Sequence, residues 1–192
     1  MKKRKILVCA VIISCLSLSA YGTIAYFTAD AVASNVITSG NIKIDLKETA
    51  IPEEGGSPVP FENRIGVMPG TAVSKIVQVE NIGSQPAYIR VGVDKEIFLA
   101  EENTEEPDLS LVSWDVNSDF WEEKDGFYYY KEVLETGQTS EPLFTEVVFD
   151  ETMGNMYQNS KAEITVLAQA TQVAHNGNNV MEAQGWPAAH NE

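Results

Sequence analysis

Apolar residues in this chain recur at every second position in short runs, and clusters of turn residues separate the runs; any fold must accommodate that alternation. Asn41 to Leu46 sets Ile42, Ile44 and Leu46 against Asn41, Lys43 and Asp45, the period of a half-buried strand. The stretch Ala50 to Pro60 holds three prolines and two glycines, so it reads as a loop. Pro69 and Gly70 turn the chain into Thr71 to Glu80, where Val73, Ile76, Val77 and Val79 mark a strand. Asn81 to Pro86 is turn chemistry again. Ala87 to Asp94 then places Ile89, Val91 and Val93 on one face and Tyr88 and Arg90 on the other. The short connection predicts that these two strands form an antiparallel pair.

Further along, Asp119 to Lys131 brackets Asp125-Gly126 with aromatic residues, a hairpin signal held by cross-strand ring pairs. Leu143 to Phe149 and Lys161 to Gln172 are the last predicted strands, the second with Ala162, Ile164, Val166, Ala168 and Ala170 on one face. Glu151 to Asn159 and Asn179 to Gly185 are predicted short helical turns. Seven or eight strands without a long helix imply a sandwich of two antiparallel sheets, a single domain over residues 26–192.

The N-terminus is of a different kind. Lys2, Lys3, Arg4 and Lys5 precede Ile6 to Phe27, which carries no charge. This is the charged region, apolar core and small-residue exit of a secretory signal peptide helix over residues 1–25. Thr23 and Ala25 supply the small side chains a signal peptidase needs before the cut, so cleavage is expected between Ala25 and Tyr26. The run is long enough for an uncleaved anchor, but Ser14, Ser17, Ser19, Gly22 and Thr23 dilute it. Ile12 to Cys15 has the outline of a lipobox, yet the residues after Cys15 stay apolar where a lipid anchor needs a polar tether. Both cysteines, Cys9 and Cys15, leave with the signal, and with them any disulfide or thiolate chemistry.

Charge narrows the partners. The chain has 13 basic and 28 acidic residues, and loss of the four N-terminal cations leaves nine against 28, a net of −19. Such a field repels nucleic acid and anionic membrane surfaces. Membrane contact is expected only through the signal before cleavage.

The residues for common hydrolytic chemistry are missing. His175 and His190 are the only histidines, so neither an HExxH zinc helix nor a conventional triad can be drawn from them. No GxSxG elbow or phosphate-binding glycine loop occurs. The acidic stretch Glu101, Glu102, Glu105, Glu106 and Asp108 lacks the ligand spacing of a calcium loop. The rings of Phe120, Trp121, Phe127, Tyr128, Tyr129 and Tyr130 read as core and cross-strand packing before they read as a sugar platform. No catalytic, cofactor or metal residue is therefore assigned.

One segment stands out after the signal. Tyr26 to Val36 contains no proline, and Tyr26, Phe27, Thr28 and Val32 suit an extended strand. It is expected to fold back on its own sandwich or to add to a neighbouring copy's sheet edge, since either satisfies backbone groups that an open edge leaves unpaired.

The order of segments adds a resemblance. GTIAYFTAD (Gly22 to Asp30), SNVITSGNIKIDLKE (Ser34 to Glu48), MPGTAVSKIVQVENIGSQPAYIRV (Met68 to Val91), DGFYYYKEVLETGQTSEPLF (Asp125 to Phe144), AQATQVA (Ala168 to Ala174) and the closing GWP (Gly185 to Pro187) succeed one another. This sequence resembles the TasA/camelysin-like exported proteins of Gram-positive bacteria, whose signals are cut by a SipW-type signal peptidase. The resemblance implies a jelly-roll-like sandwich, export to the cell surface or a biofilm matrix, self-association or association with matrix proteins, and assembly into fibres. It also implies an alternative, the camelysin-type surface metalloprotease, for which this sequence offers no recognisable zinc ligands.

Overall fold

The computed structural model describes residues 27–38, 42–62, 64–100 and 104–187. The expected signal peptide, its cleavage residues Thr23, Ala25 and Tyr26, and His190 lie outside them.

The fold is an all-β sandwich, as the alternation implies. One layer is a six-stranded sheet. Its strands are β1 (Phe27–Thr38), β4 (Arg64–Val67), β7 (Ala87–Phe98), β9 (Trp121–Lys124), β10 (Phe127–Tyr130) and β12 (Ser160–Gln172), in the order β4-β1-β12-β7-β10-β9. The other layer holds β2 (Ile44–Ala50), β3 (Val59–Pro60) and β6 (Ile76–Asn81) in the order β3-β2-β6, and β5 (Ala72–Ser74), β8 (Val112–Trp114) and β11 (Glu146–Phe149) in the order β5-β11-β8. Backbone bonds fuse these two groups along residues 137–145. Lys75 N–H donates to Thr145 O (2.9 Å), Leu143 N–H to Val77 O (2.8 Å), Ser140 N–H to Val79 O (2.8 Å) and Asn81 N–H to Gln138 O (2.9 Å).

Side-chain alternation builds the core between the layers. Ala162, Ile164, Val166, Ala168 and Ala170 of β12 and Ile89 and Val91 of β7 are buried on one inner face. They join Ile44, Leu46, Val77, Val79, Val147 and Phe149 of the opposite layer in a single apolar cluster. Each fully buried branched or aromatic side chain contributes roughly 1.5–3 kcal/mol over leaving it in water.

The predicted pairing of the strands around Asn81 to Pro86 is overturned. β6 pairs with β2, whereas β7 pairs with β12 and β10. The connection is an arch between layers rather than a hairpin, because Val77 and Val79 on one side and Ile89 and Val91 on the other all seek the same core. Asn81, fully buried, rivets the arch. Its Nδ2 donates to Gln85 O (2.9 Å) and Leu134 O (2.8 Å), and its Oδ1 accepts from Gly83 N–H (3.0 Å). At Gly83 a Cβ would fall 2.8 Å from the Lys43 backbone nitrogen, so the arch closes only over a residue without one.

The Asp125-Gly126 hairpin forms as expected. Both residues have positive φ, 52° and 77°, and β9 pairs with β10 from Lys124 opposite Phe127 to Trp121 opposite Tyr130. The Trp121 and Tyr130 rings lie 5.0 Å apart. Helical content is two short 3-10 turns: Glu151 to Asn159 contains one at Asn155–Tyr157 as expected, and the other spans Leu109–Leu111 rather than Asn179 to Gly185, which holds turns but no helix. Within Ala50 to Pro60, Val59 and Pro60 pair back onto Ala50 and Thr49. Twelve strands are described against the seven or eight predicted: a break at Lys75 divides the Thr71 to Glu80 run into β5 and β6, and β3, β4 and β8 form where the alternation predicts no strand.

Candidate functional site

The segment singled out after the signal is β1, and its backbone has two neighbours. On one side it runs parallel to β12, from Phe27 opposite Ser160 to Thr38 opposite Ala170, with an irregularity between Val32 and Asn35. On the other, β4 pairs antiparallel with Phe27, Thr28 and Ala29. Among the described residues no strand pairs with the outer edge of β1 beyond Ala29. Of the four residues expected to form the assembly strand, Phe27, Thr28 and Val32 therefore lie in β1, and Tyr26 lies outside the described residues. The chain folds this strand back onto its own sheet. The β1–β12 pair is the one parallel pairing in a sandwich whose other described pairings are antiparallel, an arrangement that the expectation of purely antiparallel sheets did not include.

The parallel orientation follows from connectivity. β1 and β12 are the first and last described strands, far apart in sequence, so no tight turn dictates their relative direction. β12 carries two polar side chains at positions opposite the ends of β1. Ser160 is opposite Phe27, and Gln169 is opposite Ile37. Ser160 Oγ and Gln169 Nε2 are both buried without a hydrogen-bond partner. Gln169 uses only its Oε1, which accepts from Arg90 Nε–H at 2.8 Å. An unmade bond of this kind costs about 1–3 kcal/mol. Sequence reasoning missed both, because each looks like an ordinary polar strand residue until its neighbours are known.

The aromatic cluster is mostly core. Trp121, Tyr128, Tyr129 and Tyr130 are buried. Trp121 donates its indole N–H to Glu141 O (3.0 Å), and Trp114 donates to the Tyr128 hydroxyl (3.2 Å).

Among the described residues, the titratable groups Lys75, Asp115 and His175 sit in different environments. Lys75, 1% exposed, pairs with the Glu48 carboxylate, and its Nζ lies 4.2 Å from the centre of the Phe61 ring. Burial pushes the Lys75 ammonium below its ordinary pKa, and Glu48 opposes that shift. Burial likewise pushes the Asp115 carboxyl up, but hydrogen bonds from the Thr145 hydroxyl and the Thr145 and Glu146 N–H groups outweigh it and hold the carboxyl below the ordinary range. His175 sits exposed in a turn with φ of 57°. Among the described residues no group of three or more His, Cys, Asp or Glu side chains is placed to hold a metal ion. Asp108 of the acidic stretch caps the Leu109–Leu111 turn, accepting from Ser110 N–H at 2.9 Å.

No protein-family model, curated protein or solved structure matches the chain.

Proposed function

We propose that the chain is a secreted, non-enzymatic structural subunit of a cell surface or biofilm matrix, and that copies join by exchanging β1. A SipW-type peptidase is the expected processing partner. The observation that carries the reading is the position of β1: it is the first strand after the signal-like segment, and backbone pairing to β12 defines its place. The same ladder can be made with β1 of a neighbouring copy, because backbone pairing is indifferent to which chain supplies the strand. The resemblance of the whole segment order to TasA/camelysin-like proteins supports the same reading. So does the net charge of −19 on the processed chain, which favours soluble single subunits until export and assembly conditions coincide.

The test compares the chain beginning at Tyr26 with one lacking Tyr26 to Asn35. Electron microscopy and light scattering are expected to show concentration-dependent fibres for the first. The second is expected to stay a folded, soluble monomer. Fibres of undiminished length from the deletion would reject strand exchange.

A further inference from the structure

The chain does not end at β12. Residues 173–187 fold back over the outer face of the six-stranded sheet, where Val180 is buried against Tyr88 and Tyr129. Trp186 closes this strap: its ring stands edge-on to Tyr129 at 5.8 Å and lies 4.7 Å from the Arg90 guanidinium. Arg90 is itself held by Gln169 and by the Tyr129 hydroxyl, the latter at 3.2 Å.

A single side chain ties the two ends of the strap together. Asn176 Nδ2 donates to Gln172 O (2.8 Å), Gln184 O (2.9 Å) and Thr171 Oγ1 (3.2 Å), and Asn176 Oδ1 accepts from Gln184 N–H (2.7 Å). Every polar atom of the amide is used. The next residue is Gly177, with φ of 77°, where a Cβ would lie 3.0 Å from Glu182 Cβ and 3.1 Å from its carbonyl carbon. The turn therefore demands glycine at 177. Asn176-Gly177 is the only Asn-Gly pair in the sequence, and Asn-Gly is the dipeptide whose second backbone nitrogen is least hindered from reaching the preceding side-chain carbonyl.

We propose that Asn176 is a deamidation site that acts as a one-way lock on the strap. In the chemical step the Gly177 backbone nitrogen loses its proton and attacks Asn176 Cγ. A nitrogen–carbon bond forms, the Cγ–Nδ2 bond breaks, and Nδ2 leaves as ammonia. Water then opens the five-membered imide to aspartate or isoaspartate. Water is the only co-reactant and no redox change occurs. While the strap is closed, its hydrogen bonds pin the Asn176 amide and hinder the rotation that ring closure needs. Opening the strap starts the reaction, and the product prevents reclosing. A carboxylate only accepts hydrogen bonds, so it would face the carbonyl oxygens of Gln172 and Gln184 with no proton to share. Isoaspartate adds a misplaced backbone carbon to the same defect.

The experiment ages the folded full chain in mildly alkaline buffer, separates the fraction that has gained negative charge, and maps it by peptide mass spectrometry. Alongside it, Asn176→Asp is made directly. Conversion is expected at Asn176, at least about tenfold slower in the folded chain than in the denatured one, as for any reaction gated by local opening. Limited proteolysis within 173–187 is expected to be on the order of tenfold faster in both the aged fraction and Asn176→Asp, while the core strands β7 and β12 stay protected. If Asn176→Asp fails to fold, the aged fraction, folded before conversion, supplies the same product. Equal deamidation rates in folded and denatured chains, an Asn176 that does not convert, or a converted strap as protected as the parent would each overturn the proposal.

Discussion

Buried polar residues in this sandwich differ in what they are worth, and the difference is read from their partners. Asn81 makes three bonds that hold the arch, so Asn81→Ala leaves the Gln85 carbonyl and the Gly83 N–H without these partners, while Leu134 O keeps its bond from Ala87 N–H, and is expected to lower the unfolding free energy by about 2–4 kcal/mol in denaturant titration. Ser160 Oγ is buried without a partner; Ser160→Ala loses no bond and is expected to be neutral to stabilising by up to about 1 kcal/mol. Lys75 and Glu48 are a third case. Glu48→Gln leaves a buried ammonium without its counter-charge, a change worth about 3–5 kcal/mol where the amine stays protonated. The sign with pH follows from the lowered folded pKa of Lys75. Between that value and the unfolded one, the unfolded chain holds more protons, so the cost carried by this group shrinks as pH rises through the window. Urea unfolding of Glu48→Gln from neutral to alkaline pH is expected to show the deficit narrowing as pH rises. Asp115 moves stability in the same direction with pH, but as a favourable contribution rather than a cost. Its folded pKa is depressed, so its contribution is present above the unfolded carboxylate value and is lost as pH falls through the folded one. Asp115→Asn is expected to flatten that acid limb.

At the scale of elements, β1 and the β9–β10 hairpin illustrate two ways in which a strand is specified. The hairpin is local: the Asp125-Gly126 turn and the facing rings of Trp121 and Tyr130 set its register within ten residues of chain. Gly126→Val puts a β-branched side chain at φ of 77° and is expected to cost about 1–2 kcal/mol in thermal unfolding. β1 is non-local. Its partner β12 begins at Ser160, and nothing in Tyr26 to Val36 states whether the strand runs parallel or antiparallel, or in which copy it lies. β12 remains paired with β7 over all but its first residue, from Lys161 opposite Phe98 to Gln172 opposite Ala87. Deleting Tyr26 to Asn35 is therefore expected to leave a cooperative thermal transition, at a lower midpoint, while abolishing assembly.

For the molecule as a whole, the proposed assembly is expected to be governed by charge. At −19 after processing, repulsion between copies weakens as salt screens it or as carboxylates protonate near pH ~4. Light scattering between neutral pH and pH ~4 is expected to show growth of high-mass species while circular dichroism still reports the β fold. Unchanged mass down to that pH, with the fold intact, would remove charge as the brake. N-terminal sequencing of released protein is expected to begin at Tyr26; a start at Tyr21 or Cys15 would move the processing site.

The all-β class, the longer strands, the aromatic hairpin and the acidic net charge were readable from residue order, because alternation, turn chemistry and charge are properties of neighbours in the chain; the short strands β3, β4 and β8 were not, since two to four residues are too few to show a period. The partnering of strands was not. The arch at Asn81 to Pro86 has the length and residues of a hairpin, and it crosses between layers because the apolar faces of β6 and β7 meet across one core. Asn176 likewise reads as one polar residue in a polar tail, and becomes the tie of the strap only when Thr171, Gln172 and Gln184 are brought around it. β1 sits between these extremes: its extended character is written in Tyr26 to Val36, but its parallel seat beside β12 depends on contacts between the two ends of the chain. Local sequence carries the period of each strand. Which strands pair, and which polar atoms end up satisfied, depend on long-range burial that no single segment encodes.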